Sequence, residues 1–156
     1  MNTEIVHQCE SLGQMETHEV VCLLVELARE VSDVIGEKGA ISVFHQAGKQ
    51  VGKRLGKESG KGAEDDAREV ALHFFRRKSF MESICVNKDN EAEVQGCKIG
   101  LVLQDEGLTP GAHPLCRFAF GLIEGAVKSV ADEKIHVKHI SSEFHANGLT
   151  CKEMWN

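Results

Sequence analysis

DEGLTPGAHPLCRFAFGLIEGAVKSVADEKIHVKHISSEFHANGLTCKEMWN, residues 105–156, decides the fold of this chain. Its first part is a Gly/Pro loop that runs into a helix. Pro114 suits the first helical turn, where its missing N–H and fixed φ cost little. Cys116 follows two residues later, among the unpaired N–H groups of the helix start, a position that favours a thiolate. Phe118, Leu122, Ile123, Val127 and Val130 recur at helical spacing, and Gly121 and Gly125 stand four apart, as close packing requires. After Asp132–Lys134, IHVKHIS reads as a strand, Asn147-Gly148 as a two-residue hairpin turn, and LTCKEMW as the returning strand.

Working back toward the N-terminus, Phe80–Val86 and Glu93–Ile99 read as two more strands joined by the polar turn Asn87–Asn90. LVLQDEG after them fits either a helix or an extended segment. Three helices precede the strands: one from Thr17, one from Ala40 to about Gly56, and one from Ala63 to about Arg77. In the first, Val20, Val21, Leu23, Leu24, Leu27, Val31 and Val34 fit a 3.6-residue period, and Gly36 and Gly39 end it. The second carries glycine at 48, 52, 56 and 60, along one side. Each costs about 1 kcal/mol against alanine, so the series implies either a tight helix crossing or a backbone wall against a ligand. In the third, acidic Glu64–Asp66 and basic Arg76–Lys78 suit opposite ends of the helix dipole. Met1–Glu16 is a polar arm, and 17–156 form one domain. The expected fold class is α/β in its α+β form: a single domain with an antiparallel sheet of about four strands packed by helices.

The 156 residues are 42 % apolar and 27 % charged, with a net charge of −6. That length supports a real core, and the acidic balance argues against a nucleic-acid partner bound by phosphate neutralisation. No apolar run reaches the roughly 20 residues of a membrane span, and MNTEIVHQCE is not a signal peptide. The six cysteines, scattered without a CxxC pair, are expected to be reduced thiols in a cytoplasmic protein.

The order C-R-F-x-x-G-x-x-x-G followed by A-x-G-x-x-C, carried by Cys116, Gly121, Gly125, Ala146, Gly148 and Cys151, resembles the 4-vinyl reductase-type domain. That family is also called the hydrocarbon-binding domain, and it shares its fold with subunits of the TRAPP vesicle-tethering complex. GEKGAISVFHQAGKQVG, residues 36–52, resembles the Gly-spaced helix of the same domain. The resemblance implies a small-molecule binding or sensor domain for an apolar ligand. His73, Phe74, Phe118 and Phe120 are the ligand-binding candidates, with Phe75 beside them. With no output module in the chain, a signal would pass through a partner, and a homodimer through the first two helices is expected.

Some members of that family, phenol-sensing ones among them, hold zinc through a cysteine before the helix glycine, a Glu-x-x-Cys pair and a further cysteine. Cys116 and Cys151 match the first and last positions. The Glu-x-x-Cys pair falls on Ser141 and Phe144, so half of the family's ligand set has no counterpart. His113 and His145 are the first candidates to complete a set, with His139, Glu143 and Cys97 as neighbours; zinc accepts Cys, His and carboxylate alike. The residues leave two readings open, a metal held through Cys116 and Cys151 or two buried thiols. If Asn147-Gly148 is the turn, Phe144 faces Cys151 and Glu143 faces Lys152. Cys151, Phe144, Ile140 and Trp155 then point inward, and His139 and His145 outward.

The chain shows no nucleophile elbow, dinucleotide fingerprint, P-loop or His-x-x-x-His zinc helix. Cys116 with His113 is the one nucleophile–base pair to weigh, and the proline between them separates their directions. We therefore expect a binding domain rather than an enzyme. A metal- or tetrapyrrole-handling protein and an interaction subunit are the alternatives.

Overall fold

A computed structural model describes residues 17–59, 81–146 and 148–156. The N-terminal arm and the third expected helix, with His73, Phe74 and Phe75, lie outside the described residues. In chain order the elements are α1 (Thr17–Ile35), α2 (Glu37–Ser59), β1 (Ser83–Val86), β2 (Glu91–Gln95), α3 (Lys98–Asp105), α4 (Pro114–Ala131), β3 (Val137–His145) and β4 (Gly148–Trp155). The four strands form one antiparallel sheet in the order β1-β2-β4-β3. The expected α+β domain is what forms, with helices packed on one sheet. Among the described residues no helix is long and apolar enough to cross a membrane.

The core lies between the inner face of the sheet and three helices. Val21, Val25 and Ala28 of α1, Val102 and Leu103 of α3, and Phe120, Ile123 and Val127 of α4 meet Val94, Val137, Leu149 and Trp155. Each such aliphatic side chain contributes about 1.5–3 kcal/mol by leaving water. On β4 the burial alternates, with Leu149, Cys151, Glu153 and Trp155 inside.

The glycine series has a definite use. Helices α2 and α4 cross so closely that their backbones touch along Gly48, Gly52, Gly121 and Gly125. A Cβ on Gly48 would meet the Phe118 carbonyl and one on Gly121 the His45 carbonyl; Gly52 and Gly125 meet those of Leu122 and Lys49. Of the two readings of the series, the helix crossing holds. The same packing withdraws these glycines from the surface where a dimer seam was expected.

Several boundaries differ from expectation, the first strand among them, which starts at Ser83. Gly36, at φ +79°, ends α1 alone, and α2 starts at Glu37, taking Gly39 into its first turn. The second strand stops at Gln95, because Gly96 turns the chain at φ +62° and Cys97 caps α3. The undecided LVLQDEG thus belongs to a helix. It closes with Leu108 N–H donating to Leu103 O and Gly107 N–H to Gln104 O, with Gly107 left-handed, the Schellman arrangement.

The last hairpin is paired two residues out of the expected register. His145 faces Gly148, Phe144 faces Leu149, Glu143 faces Thr150 and Ser142 faces Cys151. A shift of two keeps every side chain on its own face of the sheet, so Cys151 and Trp155 still point inward, and Glu143 still reaches Lys152 diagonally at 3.6 Å. A bulge between His139 and Ser141 then changes the inner face. It leaves Ile140 half exposed and brings His139 opposite Glu153, against the expected outward direction. A bulge places two residues opposite one and re-aims the side chains before it. Phe144 is also exposed, near the hairpin tip.

Candidate functional site: a buried thiol cavity

Three separate parts of the chain deliver a cysteine to one place. Cys97 stands where β2 gives way to α3, Cys116 in the first turn of α4, and Cys151 in the middle of β4. All three line a small pocket of about 30 Å³, together with His139, Glu153, Val94, Pro110, Gly111 and Phe120. That volume admits a single water-sized particle. The described cysteines are all free thiols.

Local structure holds each group. Gly111, at φ +90°, donates its N–H to Cys116 Sγ at 3.2 Å. The His139 ring lies where a Cβ on Gly111 would be, so only glycine fits on both counts. Ser142 Oγ links His139 Nε2 (3.2 Å) to Cys151 Sγ (3.5 Å). Trp155 Nε1–H donates to Glu153 Oε2 at 3.1 Å.

Electrostatically the site is a desolvated acid cluster. Burial pushes the Cys116 thiol up to about 12, with the Gly111 N–H offsetting part of the effect. Burial likewise raises Cys97 to about 11, against the pull of the N–H groups of Gly100 and Ile99. Cys151 is raised by burial, and Glu153 is lifted to about 7 for the same reason. His139 is lowered by burial and by the Arg117 charge. The expectation that the helix start makes Cys116 a thiolate is therefore corrected. Desolvation outweighs the helix-end field, and at neutral pH the isolated thiols keep their protons.

Of the residues singled out from the sequence, Cys97, Cys116, Cys151, Phe120 and His139 reach this cavity. Phe118 is half-buried on α4. His113 is instead the N-cap of α4: its Nδ1 accepts the Leu115 N–H at 3.2 Å. It faces a separate open cleft with Val25, Glu37 and Leu108. His145 is exposed on β3 and borders a polar groove with Glu143 and Lys152. The His113–Cys116 pair is thus not assembled by these contacts. Glu153 is the residue that sequence reasoning missed. Its signal was the alternation Cys151-x-Glu153-x-Trp155, which puts a carboxyl on the same inner stripe.

The donor chemistry suits a soft divalent cation: three thiols, a carboxyl and an imidazole around a space of one particle. Among the described residues no three His, Cys, Asp or Glu side chains already stand as a ligand set, so closing on an ion takes rotation of side chains around the cavity. Against known proteins, the chain matches no family model, and no curated sequence matches it.

Proposed function

We propose that this chain is a small-ligand-binding domain of the hydrocarbon-binding type, with the thiol cavity as a site for one zinc-class ion. The observation that carries this reading is the convergence of Cys97, Cys116 and Cys151 with Glu153 and His139 on one small, single-particle space. Four acids gathered out of water are a costly arrangement when each must stay protonated. A divalent cation reverses that cost by taking the protons' place. Cys116 and Cys151, the two positions that match zinc ligands of the resembled family, would be ligands. Cys97, Glu153 and His139 are the donors available to complete the set, in place of His113 and His145. The bound ion would tie β4 to the start of α4 and so fix the sheet against the helices. The apolar ligand implied by the resemblance is a separate question of the same proposal, since its expected wall includes His73 and Phe74.

Native mass spectrometry after incubation with equimolar zinc tests the proposal. One zinc per chain is expected, with Cys116→Ser and Cys151→Ser losing it. Full-length protein that remains zinc-free under those conditions contradicts it.

A second reading, self-association, rests on a different observation. Leu23, Leu27 and Val34 fall on one stripe of α1 and are each more than half exposed, and a contiguous apolar stripe in solvent is a usual mark of an association surface. A second copy of the chain is the occupant proposed for this face. Light scattering at micromolar concentration should give twice the chain mass, and Leu27→Glu should return it to the single-chain value. A single-chain mass for the unaltered protein would contradict it.

A further inference from the structure

On α4, about 12–18 Å beyond Cys116 by helical rise, the chain builds a second feature that the thiol cavity does not use. An open groove of about 420 Å³ is lined by Lys49 and Lys53 of α2, Lys128 of α4, Lys134 and His136 of the following segment, and Glu124. Four lysines meet here on a chain whose net charge is −6.

The groove is organised by Glu124, which is 3 % exposed. Its Oε1 accepts the Val137 N–H at 3.0 Å and lies 3.1 Å from His136 Nδ1. Its Oε2 meets His45 Nε2 and Lys49 Nζ, each at 3.0 Å. One buried carboxylate thus holds groups from α2, α4 and β3 as a fixed floor, and its own acceptor capacity is used there. The glycine crossing makes this reach available, because it brings α2 within side-chain distance of the far end of α4. Lys128 is tied to Asp132. Lys53 and Lys134 are exposed. Lys49 is paired with Glu124 and Lys128 with Asp132, which leaves Lys53 and Lys134 as the lysines of the groove without an acidic partner among the described residues.

The geometry points to an anion-binding groove for a phosphoryl group, with Lys53 and Lys134 as the direct cationic contacts and Glu124 as the positioning residue beneath them. A doubly charged, compact anion matches the two free lysines. Lysine acts as a point-charge donor toward phosphate, and the concave floor lowers the exposure of the bound charge to screening by water and salt. The ligand class is a phosphate monoester or diphosphate, either free in solution or as a lipid headgroup.

The test is calorimetric titration of the metal-free full chain with inorganic pyrophosphate, alongside flotation with phosphatidylcholine vesicles with and without phosphatidic acid. The unaltered chain should bind saturably. Lys53→Glu/Lys134→Glu should weaken binding by about tenfold or more. Lys88→Glu/Lys138→Glu, the same charge change at other exposed sites, should leave it nearly unchanged. Pyrophosphate binding without vesicle binding assigns a soluble ligand; vesicle binding that needs phosphatidic acid and is lost in the first variant assigns a headgroup. Absence of saturation in the millimolar range with both probes overturns the inference. So does equal weakening in the two double variants, which would reduce the effect to overall charge.

Discussion

Gly52 of α2 rests directly on the peptide of Leu122 in α4: a Cβ there would stand 2.9 Å from both the Leu122 carbonyl carbon and the Ala126 amide nitrogen, with the Leu122 oxygen nearer still. Those obstacles are backbone, so neither can swing aside. Gly52→Ala should therefore cost about 1–3 kcal/mol by overpacking, even though alanine gains about 1 kcal/mol over glycine in an open helix. Gly39→Ala is the control, since a Cβ there meets only the Ile35 side chain, at 3.3 Å and beyond, on a residue that is half exposed. Urea unfolding should show the first variant weakened and the second unchanged or strengthened. Equal effects would mean that the crossing is looser than described.

How far the sequence revealed this arrangement depends on the residue. The glycines at 48, 52, 121 and 125 showed that two helices needed close neighbours, because four-residue spacing fixes one side of a helix. That they need each other is a tertiary fact that no local pattern contains. The inner stripe of β4 was readable from alternation alone, and Cys151 and Trp155 fell where it put them. The hairpin register was not, because Asn147-Gly148 favours a two-residue turn while the pairing follows His145 and Gly148. The bulge that turns His139 inward has no signal in HISS. Cys97 was noted as a neighbour, but the strand was carried through it, since the left-handed turn at Gly96 is one of many roles a glycine can fill.

Burial of Glu153 makes stability depend on pH. Its carboxyl is lifted from 4.5 to about 7, so between those values the folded chain keeps a proton that the unfolded chain has released. Stability must then fall as pH rises from 4.5 and level off above 7. The full effect is about 3 kcal/mol. In metal-free buffer, Glu153→Gln should gain about that much on the unaltered protein between pH 4.5 and pH 8. Denaturant midpoints at the two pH values check this, and a constant difference would show that the carboxyl is solvated.

Glu124 should behave with the opposite sign. Burial alone would raise its carboxyl, but the Val137 N–H, Lys49 and His45 together hold it below the ordinary range. Its stabilisation is therefore present above pH 4.5 and is lost as pH falls through the folded value. Near neutral pH, Glu124→Gln should cost about 2–4 kcal/mol, because charged partners lose their carboxylate in a buried place. Acid titration of both proteins by circular dichroism should bring their stabilities together. If the variant matches the unaltered chain at pH 7, the network contributes nothing net.

Thiol reactivity separates the cavity from the surface. With Cys97 at about 11 and Cys116 at about 12, the thiolate fraction at pH 8 is about one in a thousand or less. Cys85 is exposed on β1. Iodoacetamide at pH 8, followed by peptide mass analysis, should label Cys85 well before Cys97 and Cys116. Labelling of Cys116 at the rate of Cys85 would mean that the cavity is open.

Cobalt(II) is the most direct probe of the central claim, because its charge-transfer absorption reports thiolate ligands and counts them. One equivalent added to the metal-free protein should give an intense thiolate band that saturates at one cobalt per chain. The band should weaken in Cys116→Ser and Cys151→Ser and be displaced by zinc. A spectrum of cobalt bound only through oxygen and nitrogen, unchanged in both serine variants, would contradict the metal site outright.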